Sequence, residues 1–519
     1  MTTGKFIFKA TLLIAFFNLM SRFLGLLRDV VIARQFGAGD LIDAYQMALK
    51  MPNMLFAIVS GALVTVVVPV YSEYAARGER KEAWKIFNTV LILVTLFFLA
   101  ASILGIAGAP LLIKLVAPGF QGAIQALTVE LVRIVLPLMI FAALASLFTN
   151  LLNANNIFGL PAFSTSVNNI FIIISALTLG SWYGIQGLAL GTVLAMAAMA
   201  LVQLPILLKT GFRFRLALDI RHPGVHKVYI LALPAAVGVA VNQANVYING
   251  VLASWLPEGS ISALSYADRL IQFPVSLFVL ALGTAVFPTL SGWAARGDRE
   301  DLAKIFLASM KVVMAGIIPA SVGLMVLSRP IVRLVFERGA FDQVASAMTA
   351  AALFFYAVGL VGQASAILLT RGFYALQDTR TPVKLGLVMV AVNLILSLFF
   401  IRYLQHAGLA LANSLANLTY LVLLLEFLKR KIPGLREGGL FKFTLIILLS
   451  AGIMAIASYA VNGALAARVQ GFAGLLLQVG LAITAGILVY AGALLALCGE
   501  DARRIFRTAR EVALARRKH

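Results

Sequence analysis

Long apolar runs, separated by short polar connections, extend along this chain as far as residue 498. A helix that crosses a bilayer needs about 20 mostly apolar residues. We find fourteen such runs, and several are longer than a bilayer requires, so we expect those helices to tilt, kink or project into water. The pattern predicts an all-α polytopic membrane protein with 14 transmembrane helices. The runs are 6–35, 42–71, 87–115, 126–154, 160–183, 185–208, 228–256, 260–290, 305–328, 343–375, 381–403, 408–429, 440–462 and 471–498.

The connections reveal an internal repeat. Segment 69–87 recurs without a gap as 288–306, and the Gly-Leu-Ala-Leu run at 187–190 recurs at 408–411. This offset places six helices in each copy, and an even number makes the two copies parallel. We therefore predict two parallel six-helix lobes followed by a two-helix C-terminal appendix. The predicted divisions are 1–215 for the N-lobe, 216–432 for the C-lobe, 433–499 for helices 13 and 14, and 500–519 for a basic cytoplasmic tail.

Lysine and arginine are concentrated in alternate connections. The connections after even-numbered runs are basic, as in Arg77–Lys85 and Lys209–Lys227, whereas those between them carry almost no basic residue. Because Lys and Arg are enriched on the cytoplasmic side of membrane proteins, both termini are predicted to be cytoplasmic. Three residues on the opposite side are exceptions to this rule, namely Arg329, Arg333 and Arg338.

Composition narrows the class of function. The chain is 61% hydrophobic and only 12% charged, against roughly 25% charged residues in a soluble domain. Its net charge of +21 therefore indicates basic loops on anionic lipid head groups, and no nucleic-acid partner. One cysteine, Cys498, allows no internal disulfide. The amides of Asn393, Asn413 and Asn417 could offer oxygens to sodium, but helix 7 lacks the carboxylate that such a site needs.

No nucleophile–base arrangement, phosphate-binding loop or dinucleotide fingerprint is present in the sequence. Four histidines without metal-ligand spacing make a zinc site improbable. We therefore expect a transporter and not an enzyme, with no cofactor and no metal.

Charged residues inside the apolar runs are the candidate functional residues, because a charge at bilayer depth is costly unless it faces a wet cavity or a partner. Arg22, Arg28 and Asp29 lie in the first run, and Gly25 could bend or unwind the helix between the two arginines. A guanidinium donates two parallel hydrogen bonds, which suits a diphosphate. These residues predict a cationic cavity for an anionic substrate. The alternative is an ion-pair lock that only holds a closed state.

The eighth and tenth runs contain similar residues. Asp268 and Arg269 precede Gln272, and Arg371 interrupts an apolar run near its cytoplasmic end. We expect these charges to line the cavity from the second lobe. The alternative for each is a side chain that snorkels to the membrane surface.

Helices 2 and 4 contain further charged and polar positions. Asp43, Lys50 and Asn53 follow the same reasoning, although Asp43 could equally be a helix cap. Glu130 and Arg133 are three residues apart in helix 4, so we expect them to pair with each other on one helix face. For that pair we favour a structural role over a functional one.

Eight sequence blocks occur together in this chain, at 21–29, 36–39, 43–45, 50–53, 266–274, 281–284, 372–384 and 406–409. In combination they resemble the MurJ (MviN) family of bacterial lipid II flippases, over essentially the whole chain. The resemblance implies the multidrug/oligosaccharidyl-lipid/polysaccharide exporter superfamily. It also implies a cationic cavity for a diphosphate–disaccharide–pentapeptide head group, and a groove at helices 13 and 14 for the undecaprenyl tail.

The resemblance also assigns roles to residues. In that family the arginines matching Arg22, Arg28 and Arg269 are required for function, as is the acid matching Asp43. We expect head-group binding by Arg22, Arg28, Arg269 and Arg371, and gating or charge pairing by Asp29, Asp43, Asp268, Lys50 and Asn53. The expected partners are a lipid-linked peptidoglycan precursor, anionic membrane lipids and the cell-wall synthesis machinery. The expected location is the bacterial cytoplasmic membrane.

One stretch departs from the family pattern. After the Pro-Asn of helix 2, members often carry two arginines and then an acid, whereas this chain has Phe56, Ala57 and Ser60, and Gln272 replaces a further acid. We predict a flippase that moves lipid II to the outer leaflet by alternating access. A flippase for another undecaprenyl-linked oligosaccharide stays open. A cation-coupled drug exporter would need more acidic intramembrane charge, and a scaffold for cell-wall synthesis would need no buried charge.

Overall fold

The computed structural model of this protein describes residues 3–215, 218–276, 299–435, 439–466, 468 and 471–515. These residues form α-helices joined by short turns, with one 3₁₀ turn at Pro433–Leu435 and no strand among them. The helices are α1 (Thr3–Phe36), α2 (Asp40–Ala76), α3 (Arg80–Ala107), α4 (Ala109–Val116), α5 (Gly122–Val135), α6 (Leu138–Ala154), α7 (Gly159–Leu177), α8 (Leu179–Leu201), α9 (Leu204–Lys209), α10 (Pro223–Ala253), α11 (260–276), α12 (Arg299–Val326), α13 (Ser328–Val335), α14 (Gln343–Ala375), α15 (Arg380–Lys431), α16 (Leu440–Ala466) and α17 (Gly471–Ala515).

The prediction of an all-α membrane protein is confirmed. Within the described residues, 11 helical segments are long and apolar enough to cross a membrane. That number omits α1 and α11 and treats α15 as a single segment. The total of fourteen therefore stays a prediction.

Two helices contain a kink at a predicted boundary between apolar runs. Gly184 in α8 has φ 61° and ψ −142°, and it lies between the predicted runs 160–183 and 185–208. Gln405 in α15 has φ 48° and ψ −127°, and it lies between the predicted runs 381–403 and 408–429. The chain therefore changes direction where the sequence predicts that one run ends and the next begins.

A glycine follows each kink by three residues and allows a close approach of backbones. A Cβ atom on Gly187 would lie 2.0 Å from the carbonyl oxygen of Leu179. A Cβ atom on Gly408 would lie 2.5 Å from the carbonyl oxygen of Phe400. No side chain fits at either position without a shift of the backbone.

The chain divides into two compact units, unit 1 (Met1–Ser262) and unit 2 (Ala263–His519). The division lies after the boundary at 215/216 predicted from the repeat, because α10 packs against α2 in unit 1. The assignment of lobes from the repeat stays a prediction.

Matching element lengths agree with an internal repeat. Helices α4 and α13 each contain 8 residues. The pair α5–α6 spans 33 residues, as does α14. Within the second copy of the repeated segment, 288–306, the described residues begin at 299.

Two of the three basic residues that contradict the charge rule have partners within unit 2. Arg333 forms an ion pair with Glu337 at 3.3 Å. The Arg338 guanidinium stacks over the ring of Phe472 at 4.8 Å from its centroid. These contacts give the arginines a local structural role. The predicted tail 500–519 is helical as far as Ala515, continuous with α17.

Candidate functional site

The Arg28 guanidinium is held in place by two neighbours in unit 1. Its Nε and Nη2 atoms donate to Asp29 Oδ1 at 3.0 and 2.8 Å, and its Nη1 donates to Asn169 Oδ1 at 3.1 Å. The side chains of Arg28 and Asp29 are only 17% and 11% exposed. The guanidinium is therefore oriented before any ligand arrives, which lowers the entropic cost of binding.

Asn169 of α7 ties this arrangement to the preceding turns of α1. Its Nδ2 donates to the backbone oxygen and the hydroxyl of Ser21, at 3.1 and 3.2 Å, and to Thr165 O at 3.1 Å. Gly25 lies beside it, since a Cβ there would be 3.7 Å from Asn169 Oδ1. One amide thus fixes the position of α1 relative to α7 and orients Arg28.

Arg22 is placed differently from Arg28. Its side chain is exposed, and it makes no ion pair or hydrogen bond with any described residue. The helix α1 is continuous through Gly25, so the unwinding that we considered at this glycine is not found. Arg22 is available to an anion, whereas Arg28 already shares its charge with Asp29.

Asp43 caps a helix other than its own. Its carboxylate accepts hydrogen bonds from the backbone N–H of Gly259 at 2.9 Å, from the N–H of Ser262 at 2.7 Å and from the Ser262 hydroxyl. Only 3% of Asp43 is exposed. A carboxylate is favourable at the start of α11 because unpaired N–H groups point outward there. Asp43 therefore joins the start of α2 to the start of α11.

Lys50 and Asn53 lie further along α2. A Cβ on Gly250 of α10 would be 2.7 Å from Lys50 Nζ, so this glycine makes room for the ammonium group. Asn53 is exposed and has no hydrogen-bond partner among the described residues.

In α2, the residues at which the sequence departs from the expected family pattern make packing contacts with neighbouring helices. Phe56 packs against the cluster of Leu138, Ala142 and Val193. The Ser60 hydroxyl lies 2.6 Å from that of Ser146 in α6. Phe56 and Ser60 thus contribute contacts between α2 and α6.

The second set of predicted residues lies in unit 2. Asp268 is half-buried and accepts a hydrogen bond from Gln272 Nε2 at 3.3 Å. Arg269 is exposed. Tyr356 of α14 is close enough to Asp268 to interact with its charge. Gln272 therefore binds the carboxylate of Asp268, one helical turn before it.

Arg371 lies one turn before the end of α14. It is half-buried and has neither an ion-pair nor a hydrogen-bond partner among the described residues. None of the residues that the structure describes in unit 2 neutralises its charge, so the cavity interpretation and the snorkelling interpretation both stay open.

The turn that follows α14 is held by Asp378. Its carboxylate accepts from Lys431 Nζ at 2.7 Å, from Thr381 Oγ1 at 2.6 Å and from two backbone N–H groups at the start of α15. Burial raises the pKa of Asp378, but the bonds from Lys431 and Thr381 outweigh it and hold the pKa well below its usual value. This carboxylate is a structural cap.

The prediction that Glu130 and Arg133 pair with each other is wrong. Both side chains are exposed on α5, and neither makes an ion pair with any described residue. The rule for residues three apart predicts a pair worth only a few tenths of a kcal/mol, and solvent competes with it.

The sequence analysis missed Asn169 and gave Ser262 no role. Asn168 and Asn169 form an amide pair in an apolar run, which was the available signal, because amides in membrane helices mark contacts between helices. The Asn413 and Asn417 amides, by contrast, bind each other at 2.9 Å. Among the described residues no group of three His, Cys, Asp or Glu could hold a metal ion.

Comparison with known proteins identifies the family of this chain. A sequence model of the family described as Lipid II flippase MurJ matches residues 32–481. The lipid II flippase MurJ of Burkholderia cenocepacia is 34% identical over 462 residues, covering 86% of this chain and 89% of that protein. A solved structure of lipid II flippase MurJ in an inward closed conformation has a TM-score of 0.80 at 29% identity, covering 93% of this chain and 98% of that one.

More distant structures share the fold alone. An inward-facing multidrug resistance MATE family transporter of the MOP superfamily has a TM-score of 0.69 at 13% identity, covering 82% of this chain and 99% of that one. The match to the family model extends over most of the chain and agrees with the fold. This chain belongs to the lipid II flippase MurJ family.

Proposed function

We propose that this protein moves a lipid-linked peptidoglycan precursor, lipid II, from the cytoplasmic to the outer leaflet of the bacterial inner membrane. The single observation that carries the proposal is the pre-oriented guanidinium of Arg28, in a chain of the lipid II flippase MurJ family. The Arg28 side chain is mostly buried in an apolar helix. Such a charge is costly unless it has a partner, and Asp29 is that partner until a diphosphate binds.

In the proposed function Arg22 and Arg28 bind the diphosphate, and Arg269 and Arg371 stay predicted head-group residues. A diphosphate needs several cationic donors, and the planar fork of arginine supplies two each. Asp29 and Asn169 orient Arg28, so they act as positioning residues. Asp268, which binds Gln272, would pair with arginine as the conformation changes.

Asp43 is the proposed gating residue. A conformation in which α2 and α11 separate at these ends would break its three hydrogen bonds to Gly259 and Ser262 together. Ligand binding shifts such an equilibrium only if it favours one conformation over the other. Alternating access thus needs a contact that is lost in one state, and Asp43 fits that requirement. Lys50 and Asn53 lie on the same helix and would respond to its movement.

The finer architecture belongs to the same proposal. Counting α1, α11 and both halves of α15 as separate spans gives fourteen, with both termini in the cytoplasm. Helices α16 and α17, within the predicted range 433–499, expose long apolar faces suited to an undecaprenyl tail. The basic tail would lie on anionic lipids, and the cell-wall synthesis machinery stays an expected partner.

Rescue of a bacterium depleted of its own lipid II flippase tests the function. We expect the wild-type protein to restore growth and lipid II in the outer leaflet. Arg28→Ala should accumulate normally but fail to rescue, because it removes the diphosphate contact. Arg28→Lys keeps the charge without the two-pronged geometry and should rescue only partly. Arg77→Gln is the matched control, because Arg77 is an exposed arginine that pairs with Glu73, and it should rescue fully.

Normal growth on Arg28→Ala alone would contradict the assignment of Arg28. A well-expressed wild type that fails to rescue would favour another undecaprenyl-linked sugar as the substrate. The packed Phe56 and the Ser60–Ser146 contact, where the family carries charge, are the observations that keep this alternative.

A further inference from the structure

Helices α5 and α6 have a surface unlike that of the neighbouring helices in unit 1. The structure describes every residue of Gly122–Ala154, and none of its large apolar side chains is exposed. Helix α3 in the same unit exposes five, which are Leu96, Phe97, Leu99, Ile103 and Leu104. A helix surface that faces lipid consists mainly of large apolar side chains. The open face of α5, meaning the face that carries its exposed residues, lacks them and so does not have the character of a lipid-facing surface.

Glu130 and Arg133 lie on this open face. The buried residues of α5, which include Leu131, Val132 and Val135, lie on the opposite side of the helix. The rest of the open face is small, with Ala123 and Ala126 both exposed. Opposite charges on a face of small residues inside an apolar span indicate a water-filled cleft.

The depth of these charges matches that of Asn53. Helices α2 and α5 run in the same direction because α3 reverses the chain between them, and they pack against each other. At 1.5 Å per residue, Arg133 lies about 17 Å along α5 from Gly122, and Asn53 lies about 20 Å along α2 from Asp40. Glu130 and Arg133 lie inside Gly122–Ala154, a segment that is long and apolar enough to cross a membrane.

The internal repeat gives these charges no counterpart. The 33 residues of α5–α6 correspond to the 33 residues of α14, so Glu130 corresponds to Ala351 and Arg133 to Phe354. Phe354 is exposed and apolar. If the repeat needed these charges for folding, both copies would be expected to carry them. They are specific to unit 1.

We propose that Glu130 and Arg133 form a contact site for the peptide part of the transported head group. Arg133 binds a peptide carboxylate, and Glu130 binds the free side-chain amine of the peptide. The pair matches a ligand with both charges because the two side chains are exposed on one face and do not neutralise each other. This inference rests on the proposed function, and it adds a peptide site to the diphosphate site at Arg28.

Binding of four lipids to the full-length protein in lipid nanodiscs tests the site. The first carries undecaprenyl diphosphate, disaccharide and pentapeptide. The second has its peptide carboxylates amidated, the third has its amine acetylated, and the fourth lacks the peptide. We expect Arg133→Gln to weaken binding of the first lipid about tenfold, as for loss of a charged hydrogen bond. In the Arg133→Gln variant, amidation of the peptide carboxylates should cause no further loss of affinity.

Glu130→Gln should show the reciprocal pattern. It should weaken binding of the first lipid to a similar extent. In this variant the acetylated lipid should bind no worse than the first lipid, whereas the amidated lipid should still bind more weakly. Both variants should bind the peptide-free lipid as the wild type does. Lys114→Gln, which removes an exposed cation from α4 of the same unit, is the matched control and should change nothing.

Three outcomes separate this inference from the proposed function. If the two variants lost equal affinity for the peptide-bearing and the peptide-free lipids, at an unchanged melting temperature, the peptide site would be overturned. Unchanged binding of all four lipids by both variants would overturn it too. If the wild type binds none of the four, the proposed function itself fails. Arg28→Gln should weaken the binding of all four lipids to the same extent. That result would show that the assay measures binding at the diphosphate site.

Discussion

The two copies of the internal repeat share their backbone geometry and differ in the side chains that produce it. Asn156 has φ 60° in the turn after α6, and Gln377 has φ 58° in the turn after α14. Gly184 has φ 61° at the kink of α8, and Gln405 has φ 48° at that of α15. The turns are thus conserved in shape, although glycine is used at only one of these four positions.

This difference shows how strain is distributed between the units. A left-handed backbone conformation is easy for glycine and costs a residue with a side chain about 1–3 kcal/mol. Unit 1 avoids that cost at its kink, whereas unit 2 accepts it at Gln405. The side chain of Gln405 is exposed and makes no bond with a described residue, so no local contact compensates.

The largest effect is expected where the two copies agree, at the glycines after the kinks. Gly187→Ala should lower the free energy of unfolding by about 3 kcal/mol and Gly408→Ala by about 2 kcal/mol, because the new methyl group meets a backbone oxygen. Thermal unfolding of the purified variants in detergent measures this. Gly386→Ala in α15 is the control, since a Cβ there has nothing within 4 Å, and it should not destabilise the protein. Equal stability of all three variants would contradict the close approach.

An intermediate effect is expected from exchanging the kink residues between the copies. Gly184→Gln should destabilise the protein by about 1–2 kcal/mol, because glutamine would take a backbone conformation that it disfavours. Gln405→Gly should stabilise it by about 1 kcal/mol, as relief of strain exceeds the added entropy of the unfolded chain. Melting temperatures of the two variants and their double mutant measure this. A lower melting temperature for Gln405→Gly would show that the glutamine side chain has a role of its own.

The smallest effect concerns Asp378, which corresponds in the first copy to the apolar Ile157. Because the folded pKa of Asp378 lies below its unfolded value of about 4, its ionised form stabilises the fold above that pH. This contribution is lost as the pH falls through the folded pKa. Asp378→Asn keeps the cap and should cost about 0.5 kcal/mol at pH 7, because Lys431 is partly exposed.

Melting temperatures of the wild type and Asp378→Asn at pH 7, 5 and 3 test the sign. The difference between the two proteins should be the same at pH 7 and 5, and smaller at pH 3. Lys431→Met should reproduce the loss at pH 7 from the other side of the ion pair. A difference that grows as the pH falls would contradict the lowered pKa.

The sequence predicted the helical class and the two boundaries between runs at which kinks lie, because both depend on local patterns. Apolar runs define spans by length alone, and the predicted boundaries at 183/185 and 403/408 contain the kinks at Gly184 and Gln405. The break at Thr178 between α7 and α8 is not predicted, because the apolar run 160–183 continues through it. The division after Ser262 depends on which helices pack together, and apolar length does not encode packing partners.

The candidate site was predictable as a set of charges but not as a set of contacts. Arg28 and Asp29 are neighbours, so their ion pair follows from the sequence. Asn169 is 141 residues from Arg28, and its role depends on the register between α1 and α7. Asp43 had been considered as a cap of its own helix. It caps α11 instead, which a rule confined to one helix does not predict.

The bond between Asp43 and Ser262 has a consequence for the order of folding. These residues are 219 positions apart, so the contact forms only after about half of the chain has been synthesised. Closing a loop of this length costs entropy before the contact stabilises anything. Asp43 is therefore without these partners while α1 to α10 are made, and its hydrogen bonds form once the start of α11 is present.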